Sequence, residues 1–221
     1  MVLTLQRPEA VIFDMDGLLL DSERVALACF EQSACELGLI WSPALGLDLV
    51  GRSSRDSDRL LLAHYGADFP LAALRQGFDQ RYDDAIMSGV IPLKPYAREL
   101  LEQLDRMQIP CAVATSTQRF RAETKLAKCH LLSCFKALAC GDEVTRGKPA
   151  PDIFELAATR LGVEPRDCLA LEDSNPGVRA AVSASMPVVM VPDLVPPDAD
   201  IRRYGVACVD SLKDVLIALS A

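Results

Sequence analysis

Histidine is nearly missing from this chain. Only His64 and His130 occur in 221 residues, and neither has a neighbour at metal-ligand spacing, which argues against a zinc site. Positive charge is also short. With 23 Lys and Arg against 31 Asp and Glu, the formal net charge is -8, so the field around the whole protein repels polyanions and argues against nucleic acid as a partner. No apolar run approaches the roughly 20 residues that a membrane span requires, and Met1 to Pro8 matches neither a signal nor a transit peptide. The eight cysteines contain no Cys-x-x-Cys pair and are scattered through apolar segments, as at Cys29, Cys111, Cys168 and Cys208. Buried thiols in a reducing cytoplasm are therefore expected in place of a disulfide framework.

What remains is the balance of an ordinary globular chain, 50% hydrophobic and 24% charged. The length suits one large domain, or one core carrying a smaller insertion. Four strand-length apolar runs stand out: Ala10 to Phe13, Cys111 to Ala114, Cys168 to Leu171 and Val188 to Val191. They are continuous rather than alternating, as in strands covered on both faces of a parallel sheet. Ala137 to Cys140 and Ala207 to Val209 are weaker candidates.

Helical spacing fills Tyr96 to Met107, Arg119 to Cys129, Pro151 to Leu161 and Pro176 to Ser185, with Gly162 placed to end the third of these. The alternation predicts an α/β fold, a doubly wound, Rossmann-like parallel sheet. One interval breaks the rhythm, because nearly a hundred residues separate Phe13 from Cys111 where a crossover needs about 30. Within it, Glu23 to Leu37, Asp56 to Tyr65 and Leu71 to Met87 read as helices. The expected organisation is a core of residues 1–21 and 91–221 with a helical cap over residues 22–90. The two crossings, Leu20-Asp21-Ser22 and Gly89-Val90-Ile91-Pro92, would form a hinge pair.

Ligands of an open parallel sheet bind beyond the carboxyl ends of its strands. There the first strand runs into Asp14 and Asp16, the second into Thr115, Ser116 and Thr117, and the third into Glu172 and Asp173, while Lys148 enters through Gly147-Lys148-Pro149. Carboxylates crowded at one edge call for a hard cation. Asp14, Asp173 and a carbonyl near Asp16 make the oxygen set that Mg²⁺ prefers, with Glu172 either reaching the metal through water or holding Lys148.

In this reading Asp14 attacks phosphorus as a nucleophile. Asp16, two residues on and facing the same side, protonates the leaving group and later deprotonates water. Thr115, the Ser116 backbone N–H and Lys148 hold the phosphoryl oxygens. In the insertion Arg52, and less strongly Arg55 and Arg81, are candidates for gripping the rest of a small phosphorylated metabolite. Trp41 and the histidines are expected to pack.

Four ordered motifs carry a resemblance along nearly the whole chain. They are Phe13-Asp14-Met15-Asp16-Gly17, Ala114-Thr115-Ser116-Thr117, Gly147-Lys148-Pro149-Ala150-Pro151-Asp152 and Leu171-Glu172-Asp173-Ser174-Asn175-Pro176-Gly177-Val178. Together they resemble the haloacid dehalogenase superfamily. That resemblance implies a Rossmann-like core, a helical cap between the first two motifs, Mg²⁺, and phosphate transfer through an aspartyl-phosphate. The run Asp14 to Glu23 looks like the branch containing β-phosphoglucomutases, sugar-phosphate phosphatases and pseudouridine-5'-phosphatases. Pro110 to Thr117 and Val188 to Asp193 are most similar to the last of these. Mutases of this branch carry a His and a cap Lys where this chain has Ala26 and Phe78. A phosphatase is therefore expected, with a phosphomutase or a non-catalytic binding module as the alternatives.

Overall fold

The apolar runs of the sequence become the strands of a single sheet in a computed structural model that describes residues 3–52, 54–88 and 91–220. The strands are Ala10–Phe13 (β1), Cys111–Ala114 (β2), Ala137–Ala139 (β3), Cys168–Glu172 (β4), Val188–Met190 (β5) and Ala207–Cys208 (β6). Their order is β3-β2-β1-β4-β5-β6 and every pairing is parallel. β1, β2 and β4 are buried along their whole length, which is why their sequences are apolar without alternation. The chain moves outward from β1 to β3 and then crosses to β4 on the other side. β1 therefore lies at the reversal point where such sheets open a crevice.

The helices, in chain order, are Glu23–Glu36 (α1), Pro43–Leu49 (α2), Ser54–Tyr65 (α3), Leu71–Ser88 (α4), Ala97–Arg106 (α5), Arg119–Lys128 (α6), Asp152–Leu161 (α7), Asn175–Ser183 (α8), Ala199–Arg203 (α9) and Leu212–Ser220 (α10). The expected doubly wound α/β fold is what forms. Three helices were not anticipated, namely α2, α9 and α10. The first two are short and set by their caps: Ser42 Oγ accepts from Leu45 N–H at the start of α2, and the Asp198 carboxylate accepts from Asp200 and Ile201 N–H at the start of α9. Gly162 ends α7 in a left-handed conformation, φ 71°, as its position predicts.

Helices α1 to α4 all fall between β1 and β2. α1 and α4 pack through a stack in which the Phe30 and Phe78 rings lie 3.9 Å apart at 16°. Trp41 stacks on the far side of Phe30, the packing role expected of it. The two crossings run side by side: Asp21 N–H donates to Pro92 O at 2.8 Å and Lys94 N–H to Leu19 O at 2.9 Å. Gly89 and Val90 of the expected hinge lie outside the described residues. Of the eight cysteines, all free, Cys29, Cys111, Cys129, Cys140 and Cys168 are buried as expected, whereas Cys35, Cys134 and Cys208 are exposed. Among the described residues no helix is long and apolar enough to cross a membrane.

Candidate active site

β1 ends at Phe13 and the chain must turn within a few residues to leave the sheet. Gly17 makes that turn at φ 89°, and a Cβ there would lie 2.2 Å from Asp173 Oδ2. The glycine thus serves the backbone angle and also lets the Asp173 carboxylate press against the loop that carries Asp14 and Asp16. The end of β4 is shaped in a similar way. Ser174 caps α8 by accepting from Gly177 N–H at 3.1 Å, and a Cβ on Gly177 would collide with the Glu172 carboxylate. The fourth motif therefore folds as acid, acid, cap, with a glycine making room for the first acid.

One cavity of about 130 Å³ joins these strand ends to the insertion. Asp14, Asp16, Thr115, Ser116 and Asp173 line its floor, while Glu23, Ala26, Arg52, Phe78 and Tyr82 stand among its walls. Lys148, 3% exposed, reaches in from below. Its ammonium donates to Asp14 Oδ1, to Glu172 Oε1 at 2.6 Å and to the Ala114 carbonyl at 3.0 Å. Glu172 is fully buried, and its other oxygen accepts from Ser174 N–H at 2.9 Å and Ser174 Oγ at 3.0 Å. Both Glu172 oxygens are occupied by the protein itself.

Asp173 is the opposite case. It is 3% exposed and accepts no hydrogen bond from the described residues. Burial, followed by repulsion from Asp14 and Glu172, holds its carboxyl well above the usual range. Burial also raises Asp14, against the pull of Lys148 and with further repulsion from Glu172. Glu23, half-buried on α1, is lifted to about 8, by loss of solvent and then by Asp16. An uncompensated buried carboxylate beside a second one suits a hard cation. Among the described residues no three side chains of His, Cys, Asp or Glu gather as a ready cage. Two carboxylates and a carbonyl fit Mg²⁺, an ion that retains several waters.

Asp16 sits in a different environment. Oδ1 accepts from Ser22 Oγ and from Lys125 Nζ at 2.5 Å, and Oδ2 accepts from Thr117 Oγ1 at 2.7 Å and Thr115 Oγ1 at 3.5 Å. Burial would raise its pKa, but Lys125 and the hydroxyls outweigh burial and hold Asp16 below the usual carboxylate range. The ammonium of Lys125 is in turn held charged by Asp16 and Tyr82 despite its burial. Ser116 Oγ is buried without a hydrogen-bond partner, an orphan hydroxyl that an oxygen-rich ligand would satisfy.

Arg52 is exposed at the rim, and its Nε donates to the Asp48 carbonyl at 2.5 Å. Arg55 lines a wider crevice of about 990 Å³ outside the cavity. Arg81 turns away to Glu36, Ser33 and the Gly77 carbonyl. Sequence reading placed Thr117 at this edge without a role of its own, and missed Lys125, Tyr82, Ser22 and Glu23. The one available signal for Lys125 was its place beside Ala122, Leu126 and Cys129 on the inner face of α6.

Residues 8–185 match the model of the haloacid dehalogenase-like hydrolase family. A probable pseudouridine-5'-phosphatase of Drosophila melanogaster is 39% identical over 188 residues, covering 82% of this chain and 80% of its own length. A phosphorylated carbohydrates phosphatase of Thermotoga maritima is 33% identical over 181 residues, 80% of this chain and 82% of that protein. Among solved structures, CbbY from Rhodobacter sphaeroides in complex with phosphate superposes with a TM-score of 0.82 at 28% identity, covering 97% of this chain and 100% of its own. The chain belongs to the haloacid dehalogenase-like hydrolases. It is an enzyme, a phosphoric monoester hydrolase of that family.

Proposed function

We propose that this enzyme hydrolyses small phosphomonoesters, sugar or nucleoside phosphates, with Mg²⁺ and through an aspartyl-phosphate on Asp14. The observation that carries the reading is the buried group of Asp14, Lys148 and Asp173, the last without a hydrogen-bond partner among the described residues, at the floor of one cavity. Asp14, Asp173 and the Asp16 carbonyl would hold the ion. Glu172, with both oxygens engaged, acts on it by fixing Lys148. When bound, Mg²⁺ supplies the positive charge that lets an anionic carboxylate meet an anionic phosphate.

In the first half-reaction a bond forms between an Asp14 oxygen and phosphorus while the bond from phosphorus to the alcohol oxygen breaks, and that oxygen takes a proton from Asp16. Asp16 is anionic in the free protein. The proton is brought by the monoanionic form of the phosphate ester, whose negative charge raises the proton affinity of the acid, and Asp16 returns a proton to the departing phosphate at the end of the cycle. In the second half Asp16 takes a proton from water as the water oxygen bonds to phosphorus. The aspartyl bond then breaks, and phosphate and free Asp14 result. Lys148, Thr115 and the Ser116 N–H stabilise the phosphoryl oxygens.

Residues 22–90 serve as the cap over this core, with Arg52 at the rim as its contact to the rest of the substrate. Where mutase relatives place a His and a Lys, the cavity wall holds Ala26 and Phe78. Water is therefore the acceptor of the phosphoryl group. The test is release of free phosphate from a panel that includes pseudouridine 5'-phosphate and hexose phosphates, with Mg²⁺ and with EDTA. Asp14→Asn is expected to lose at least about 10³-fold in turnover. Unchanged turnover in that variant, indifference to EDTA, or isomerised product without phosphate would overturn the reading.

A further inference from the structure

Lys125 is the largest polar side chain among the described residues with no solvent exposure, at 0%. An ammonium taken from water costs several kcal/mol unless its protons are matched. Here all three are: Nζ donates to Asp16 Oδ1 at 2.5 Å, Tyr82 OH at 3.0 Å and Thr117 Oγ1 at 3.5 Å. Its neighbours on the inner face of α6, Ala122 and Leu126, are apolar and fully buried. A leucine would fill that place at no electrostatic cost. The charge is placed where it touches one carboxylate, that of Asp16.

The other three donors to Asp16, from Ser22, Thr115 and Thr117, are neutral hydroxyls. Lys125 alone among its partners also reaches α4. Its contact there, Tyr82, is 6% exposed and stacks on Phe78 at 5.3 Å, so the hydroxyl is held by its ring and cannot swing. Two further cations of α6 close the same seam. Arg121 donates to Asp83 at 2.7 Å and Asp79 at 2.8 Å, and Lys128 donates to the Met87 carbonyl at 3.0 Å. Positions 121, 125 and 128 form one stripe of a helix. The outer two bind α4 near the surface, and the middle one carries the contact inward to the acid.

We infer that Lys125 is a positioning residue for Asp16, and that Tyr82 of α4 fixes Lys125 in that position. The inference rests on the proposed acid–base role of Asp16. With the hydroxyl of Tyr82 in place, the ammonium has one orientation in which every proton is used, and in that orientation the Asp16 carboxylate faces the cavity. Without it, one proton of Lys125 is unmatched and the ammonium turns, taking the carboxylate with it.

The experiment measures steady-state kinetics with Mg²⁺ for the wild type, Lys125→Met, Tyr82→Phe and the double variant. One substrate is an alkyl phosphate that the wild type cleaves and the other is p-nitrophenyl phosphate, whose leaving group departs without a proton. Lys125→Met is expected to lower kcat/KM on the alkyl ester by about 10- to 100-fold, through kcat with KM within about 2-fold, and on the aryl ester by less than about 5-fold. Tyr82→Phe keeps the ring stack and so tests the link without disturbing the fold. It should cost about 3- to 10-fold on the alkyl ester, and the double variant should be no worse than Lys125→Met within about 2-fold. Equal losses on both esters, losses expressed in KM, or multiplicative losses in the double variant would overturn the inference and leave Lys125 a core residue. A wild type inert toward every ester would instead overturn the phosphatase reading, and this inference with it.

Discussion

Two buried lysines each hold one of the two aspartates, and their surroundings differ in charge balance. Lys148 enters from the loop before α7, and at the end of the sheet three carboxylates, Asp14, Glu172 and Asp173, face its one ammonium. Lys125 enters from α6 and meets one carboxylate, Asp16, with a phenol and hydroxyls completing the set. The first region has two more carboxyl groups than ammonium groups, with Asp14 and Asp173 both held above the usual carboxylate range, and the second pairs one ammonium with one carboxylate. Such an excess of carboxyl groups in a buried place suits the divalent cation proposed above. A balanced pair keeps its charges and its geometry without one. The difference teaches that two aspartates two residues apart are pushed in opposite directions by the company their oxygens keep.

Breaking the surplus region should have the larger effect. Lys148→Met leaves Glu172 and Asp14 facing each other unpaired, and kcat/KM is expected to fall by about 10²- to 10³-fold, read as phosphate release at saturating Mg²⁺. Glu172→Gln removes one charge and keeps one acceptor oxygen, which serves either Lys148 or Ser174 but not both. A fall of about 10- to 100-fold is expected, with a raised half-saturating Mg²⁺ concentration. A loss as deep as that of Asp173→Asn would instead make Glu172 a direct ligand of the ion.

The smallest effect is expected away from both aspartates, at Glu143. Its carboxylate accepts from Arg160, Arg119 and the Cys140 N–H, and the Arg160 bond leads in lowering its pKa from 4.5 to about 2. Because the folded value is depressed, the stabilisation is present above 4.5 and is lost as the pH falls through that window toward 2. The cluster is partly exposed, so Glu143→Gln should cost only about 1 kcal/mol near neutrality. Urea unfolding at pH 7 and pH 3 should show that difference shrinking with acid. A difference independent of pH would remove the carboxylate charge from the explanation.

The strands were legible because strands buried on both faces must be apolar without interruption, as in Ala10–Phe13 and Cys168–Glu172. The floor of the site was legible because its residues sit in short motifs at strand ends, where chain connectivity alone brings Asp14, Thr115 and Asp173 to one edge. Lys125 was not legible, since a lysine ten residues beyond Thr115 reads as a solvated helix charge until α6 is docked. Tyr82 was hidden for the same reason, lying in a helix whose partner is far along the chain. The short helices α2 and α9 were missed because single caps, not periodicity, define them.

The sequence by itself determined the strands, the helical insertion after the first of them and the pair Asp14 and Asp16, because each is written in residues close together in the chain. Only the tertiary structure decided which lysine serves which aspartate, that Glu172 is occupied by Lys148 and Ser174, and that Asp173 has no partner among the described residues. Those outcomes depend on hydrogen bonds across as many as 134 residues. Such bonds form only when buried groups from separate elements must satisfy one another away from water.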